Sequence, residues 1–157
     1  MRFLADLHVH SHYSRATSRD MDLEHLWVHA RRKGITVVGT GDVTHGAWLD
    51  EVSEKLEEAE PGLYRLRAPI ERALEPHLPA ACRGQVRFLL SAEISTIYSA
   101  GGQVRKVHHV VLLPDLERAR RFRARLQRIG NLDSDGRPIL GLDSRDLLEI
   151  VLGLEGG

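Results

Sequence analysis

The sequence predicts an α/β domain. Three observations carry that prediction. The chain opens strand–helix–strand, the arrangement of a right-handed βαβ unit; further strand and helix patterns follow to its end; and 157 residues suit one domain with a real core, too few for two ordinary ones.

The elements are justified in order. Phe3 to Val9 reads as a first strand, with polar Asp6, His8 and His10 at period two. Residues 11–20 are polar and loop-like. Asp22 is an N-cap for a helix reaching Lys33, with Leu23, Leu26, Trp27 and Ala30 on its apolar face and Gly34 ending it. Ile35 to Gly39 is a second strand. Trp48 to Ala59 reads as an acidic helix broken by Pro61-Gly62. Residues 63–84 carry three prolines, and a helix is placed near 69–76. Val86 to Ser95 and Val104 to Leu113 are strands, with Ala100-Gly101-Gly102-Gln103 as turn chemistry that makes a hairpin of 92–113. Asp115 to Ile129 is an amphipathic, arginine-rich helix. Asp135-Gly136 marks a tight turn, and Ser144 to Leu152 is a last helix capped by Asp143 or Ser144.

Composition narrows the function classes. Twenty-two basic residues balance 22 acidic ones, so any basic surface is local. The single Cys82 excludes a disulfide framework and a four-cysteine zinc site. No apolar run approaches the roughly 20 residues of a membrane span, and Asp6 and His8 come too early for a signal peptide. A soluble, cytoplasmic protein with no membrane partner is expected.

Nine histidines stand out. His8-Val9-His10 places two imidazoles on one side of a strand end, where α/β barrels build their sites and where the pair can grip one divalent metal. Two ordinary surface histidines are the alternative. Other strand ends add ligand types: Asp42 with His45, Glu93, and His108-His109, of which alternation lets only one face the site; His109 is preferred. Mixed imidazole and carboxylate donors fit a site with two or more metals that clamps a phosphoryl group. Glu93 and His45 also read as solvated or loop residues. His25 and His29 lie off the apolar helix face and are expected to be solvated; His12 is second to the site or solvated, and His77 is uninformative. Tyr13, Arg15 and Arg19 in the loop offer a stacking ring and two guanidinium groups for a phosphate-bearing substrate. Arg118, Arg120, Arg121, Arg123, Arg125 and Arg128 either track a nucleic-acid backbone or form a solvated face in a chain whose 22 basic residues include only three lysines.

Asp6-Leu7-His8-Val9-His10-Ser11 and Gly34-Ile35-Thr36-Val37-Val38-Gly39-Thr40-Gly41-Asp42 resemble the PHP (polymerase and histidinol phosphatase) superfamily. Tyr13-Ser14-Arg15-Ala16-Thr17, Gly39 to His45, and Gly130-Asn131-Leu132-Asp133-Ser134-Asp135-Gly136-Arg137-Pro138-Ile139-Leu140-Gly141 are similar to its endonuclease Q branch. The resemblance implies a distorted β/α barrel holding two or three divalent ions (zinc, manganese, iron or magnesium) and hydrolysis of phosphoesters; for the branch, DNA nicked 5′ of deaminated bases or abasic sites. It implies His8, His10, Glu93 and His109 or His108 as metal ligands, with His45 a stand-in where the family has His in place of Val43. Asp42 and Arg15 are the expected catalytic groups, and the metals and Arg15 would offset charge developing at phosphorus. No counterpart of the family's later His and Asp-x-His motifs follows residue 109. Residues 1–157 are therefore expected to be one domain, the N-terminal part of an incomplete barrel, truncated relative to the full family domain, which self-associates or needs a missing C-terminal portion. The alternatives are a non-catalytic DNA-binding or structural module and a small-molecule, histidinol-phosphate-like phosphatase; an amidohydrolase lacks the late Lys or Asp it needs.

Overall fold

The computed structural model describes residues 2–154. Seven strands form one mixed sheet flanked by five helices: β1 (Ala5–Asp6), α1 (Leu23–Lys33), β2 (Val37–Gly39), α2 (Gly46–Lys55), β3 (Leu56–Glu60), β4 (Leu63–Leu66), α3 (Ala68–Leu74), β5 (Arg87–Ala100), β6 (Gln103–Leu113), α4 (Leu116–Leu126), β7 (Ile139–Leu140) and α5 (Ser144–Leu152). A short 3-10 turn, Glu75–His77, follows α3. The strand path runs β1-β2-β5-β4-β3, with β6 and β7 both pairing β5. Among the described residues this path does not close into a ring.

β1 and β2 are parallel, as are β2 and β5, so the opening βαβ expectation holds. The strand Leu90 to Ala100 then pairs antiparallel with β6 across the two-residue loop Gly101-Gly102. The core is one cluster around Trp27, Trp48, Phe88 and Phe122, all at most 1% exposed. α1 contributes Leu23, Leu26, Trp27 and Ala30, as its spacing required, and Asp22 accepts the His25 N–H as its N-cap. α4 contributes Ala119, Phe122 and Leu126, capped by Asp115, and α5 is capped by Asp143.

Several boundaries differ from the sequence expectations. β1 spans two residues rather than Phe3 to Val9, so His8 and His10 lie just beyond the strand. The acidic helix stops at Lys55; Leu56 to Glu60 is a strand that pairs with β4 across Pro61-Gly62. Leu56 and Leu66 are fully buried there, and that burial overrides the helical preference of Glu57, Glu58 and Ala59. β5 runs on to Ala100, and β7 is two residues that pair with Ser95 and Thr96.

The arginines of α4 are bound within the molecule. Arg118 pairs with Asp115, Arg121 with Glu117 and Arg120 with Ser53. Arg123 donates to the Thr44 carbonyl and Asp133, and Arg125 to the carbonyls of Ile150 and Gly153. Arg120, Arg123 and Arg125 thus tie α4 to its neighbours, whereas Arg118 and Arg121 pair with nearby carboxylates of their own segment and Arg128 is exposed. No helix among the described residues is long and apolar enough to cross a membrane.

Candidate metal centre

Three chain segments meet at one buried carboxylate. Gly41 has φ +64°, and a Cβ there would sit 2.3 Å from the Val9 carbonyl oxygen. Glycine thus lets the segment after β2 lie against the segment after β1. That contact brings Asp42 up to His10 and Ser11. Glu93, 2% exposed on β5, completes the group from the centre of the sheet.

His8 Nε2 is 2.6 Å and His10 Nε2 3.1 Å from Glu93 Oε2. The ligand-type atoms of His8, His10 and Glu93 all lie within 4.8 Å of one another. His108 Nδ1 contacts Glu93 Oε1 from β6, and Arg137 Nη1 stands 3.9 Å from the same oxygen. Although buried, Glu93 Oε1 has no hydrogen bond of acceptable geometry. Burial alone pushes the Glu93 carboxyl up, but His8, His108, Arg137 and His10 together hold it below the usual range.

Asp42 lies behind this group, fully buried. Its Oδ2 accepts from the Ser11 N–H at 2.6 Å, the Ser11 hydroxyl at 2.8 Å and the Ser14 hydroxyl at 2.9 Å; its Oδ1 faces His10 Nδ1 at 3.0 Å. Burial raises the Asp42 carboxyl, and these donors more than offset it, so it stays ionised below the usual carboxylate range. The Asp42 hydrogen bond raises the His10 pKa despite the opposing effect of burial. With an ion bound, an ionised Asp42 would hold the His10 proton on Nδ1 and leave Nε2 free for that ion. Metal-binding histidines are oriented in this way. Two imidazoles and a buried carboxylate oxygen therefore fit a divalent transition metal, with the His108 imidazole at the carboxylate's other oxygen.

The register of the hairpin decides between the two β6 histidines. Ser95 pairs with His108 and Ile94 with His109, so His108 shares the face of Glu93 and Ser95. His109 points the other way, its Nε2 within 3.2 Å of the Thr96 hydroxyl and 3.1 Å of the Ser144 hydroxyl. The preference for His109 is corrected accordingly. With no residue inserted around Gly101-Gly102, counting outward from that loop gives the same assignment.

Other expected site residues have different placements. His45 is not brought to the cluster: its Nδ1 caps α2 by accepting the Trp48 N–H, and its Nε2 lies 3.2 Å from the Asp133 carbonyl. Tyr13 stacks on that ring, with centroids 4.3 Å apart, and donates to Glu51 at 2.8 Å; its face is therefore occupied rather than open to a base. His12 contacts the Met21 carbonyl, and His25 and His29 are exposed as expected. Arg15 and Arg19 are exposed in the loop, and Arg15 Nε lies 3.6 Å from Asp135 rather than on Glu93. Asp42 faces His10 and Ser11 rather than open space.

The segment 130–141 forms one wall of the site. Asp133 accepts from the Gly46 N–H and Arg123, and Asp135 from the N–H groups of Arg15 and Arg137. Gly136 donates to the Tyr13 carbonyl, and the Pro138 carbonyl accepts the Ser95 N–H. This anchoring places Arg137, which the sequence reading had not singled out, beside Glu93. Its position one residue past Asp135-Gly136, within the segment whose sequence resembles the endonuclease Q branch, is the signal that could have drawn attention to it.

No protein-family model matches the chain. The crystal structure of the lesion-specific endonuclease PfuEndoQ from Pyrococcus furiosus matches with a TM-score of 0.74 at 28% identity, over 96% of this chain and 32% of that one. The chain resembles endonuclease Q in sequence and in fold. A second endonuclease Q structure, in complex with a 27-mer duplex substrate carrying an abasic lesion at the active site, matches with the same TM-score at 29% identity and the same coverage. An uncharacterised protein of Methanocaldococcus jannaschii is 29% identical over 152 residues, 96% of this chain and 15% of that protein. The endonuclease Q-like chain thus spans about a third of the solved structures it matches. The expected partial PHP-type α/β fold stands.

Proposed function

We propose that the chain carries the metal site of a PHP-type phosphoesterase that nicks DNA 5′ of deaminated bases or abasic sites. The observation that supports it most is the convergence of His8, His10 and His108 on the buried Glu93, with His10 held from behind by Asp42. These four residues would hold zinc, manganese, iron or magnesium, singly or as part of a two- or three-ion site. A divalent ion bound there supplies Lewis acidity and a water of lowered pKa. Asp42 fixes the His10 proton on Nδ1. Glu93 gives the carboxylate that offsets the ion's charge, and its burial keeps bulk water from competing for it. Arg15 and Arg19, exposed in the loop that follows the His pair, engage phosphates along the strand. A DNA substrate fits a cytoplasmic location. Residues 1–157 then form one domain of an incomplete barrel, whose edge strands, such as β1 and β6 with one partner each among the described residues, are closed by further polypeptide or by a second copy.

The test is nicking of a duplex containing an abasic site, uracil or hypoxanthine after loading with manganese, magnesium or zinc. Incision 5′ of the lesion that is lost in His10→Ala is the expected result. Absence of nicking by the metal-loaded full-length protein overturns the nuclease reading. Hydrolysis of small phosphate monoesters instead favours a phosphatase, and DNA binding without hydrolysis a non-catalytic module.

A further inference from the structure

Among the described residues, Arg137 is the one guanidinium beside the metal cluster. Its distance of 3.9 Å from Glu93 Oε1 is too long for a hydrogen bond, and among the described residues no hydrogen bond is formed by its guanidinium. Its side chain is 41% exposed, whereas Glu93 is buried. Its backbone is held firmly: the Arg137 N–H donates to Asp135, the preceding residue packs on Asp42, and the following carbonyl is bound by Ser95. A rigid stem with an uncommitted, forked set of donors next to a cation site is what a tetrahedral oxyanion requires. Arg15, by contrast, is more exposed and turned towards Asp135.

We infer that Arg137 is the phosphate-binding catalytic residue of this site, holding a non-bridging oxygen of the phosphodiester while the ligands of the cluster hold the metal. The assignment rests on the phosphoesterase reading for its substrate. The geometry also explains why Asp133, Asp135 and Gly136 lie in one segment: each fixes the wall from which Arg137 projects.

The test uses the manganese-loaded protein with inorganic phosphate as the probe. Bound phosphate next to manganese has its 31P resonance broadened, and the broadening saturates with phosphate concentration. Arg137→Ala should keep the manganese content of the wild type and bind phosphate at least tenfold more weakly, with Arg137→Lys intermediate. Nicking of the abasic duplex should fall about 100-fold or more in Arg137→Ala. Equal phosphate affinity in wild type and Arg137→Ala overturns the inference, as does no saturable broadening in the wild type. Loss of manganese from folded Arg137→Lys also overturns it, because the residue would then be shaping the metal site. Phosphate binding that depends on Arg137 without any nicking leaves the inference standing and removes the nuclease reading. Undiminished nicking by Arg137→Ala does the reverse.

Discussion

Replacing Asp42 with asparagine separates the charge of this residue from its shape. Asp42 is fully buried and accepts three hydrogen bonds on Oδ2, with His10 on Oδ1. Its backbone sits at φ +50°, a conformation that asparagine adopts readily, so the exchange adds little backbone strain. If the amide oxygen takes the place of Oδ2, the three donors keep an acceptor but lose its charge. Each bond then weakens from the ~1.5–3 kcal/mol of a charged partner towards ~1 kcal/mol. The amide NH2 would face His10 Nδ1, which must release its proton; the neutral ring then carries it on Nε2, the atom that faces Glu93. The reversed amide sets a donor against the Ser11 N–H, which is worse. A loss of about 2–4 kcal/mol follows, and with it a 10- to 100-fold loss of metal affinity. Urea unfolding without metal reads the first quantity, and titration against a chelator of known affinity the second. A variant within about 0.5 kcal/mol of wild type and with unchanged metal affinity would refute the role given to Asp42.

His108→Ala should lower metal affinity more than tenfold, while His109→Ala keeps the metal and loses about 1 kcal/mol from its bonds to Thr96 and Ser144; elemental analysis and thermal melts distinguish the two, and the opposite pattern would restore His109 to the site. Gly136→Ala would place a Cβ 2.4 Å from Asp42 Oδ2, so the urea midpoint should fall by the equivalent of about 1–3 kcal/mol and metal binding should weaken with it. The folded-state pKa of Asp42 lies below its unfolded value, so its contribution is present above roughly pH 4 and is lost as pH falls through the folded value. The stability of wild type should therefore decline more steeply in acid than that of Asp42→Asn; parallel acid limbs would count against this.

Legibility in the sequence followed how local each determinant is. α1 was readable because its cap Asp22, its apolar spacing and its end at Gly34 all lie within one short segment. Glu57, Glu58 and Ala59 misled because the force that makes them a strand is the burial of Leu56 against the core and pairing with β4, neither of which helical periodicity records. The metal centre was readable in its parts, since His8 and His10 lie just past β1 and Glu93 follows a run of apolar strand residues, although β5 carries on well beyond it. Its exclusions were not. His45 and Tyr13 have suitable chemistry, but each is engaged by a partner distant in sequence: the Asp133 carbonyl for one, Glu51 for the other. The choice between His108 and His109 was available from the hairpin, because a two-residue loop fixes which side chains stand opposite each other.

β5 changes neighbours along its length. Its first residues, Arg87 to Leu89, align with β2, and from Leu90 onward it aligns with β6. Glu93 lies a few residues past that exchange of neighbours. Its aim at His8 and His10 is therefore set by a count of residues along a single strand. One residue added between 90 and 92 would leave the β2 rungs intact yet turn the carboxylate to the far side of the sheet. The surrounding surface loops can vary in length without that consequence; this short stretch acts as the gauge against which the pocket is assembled.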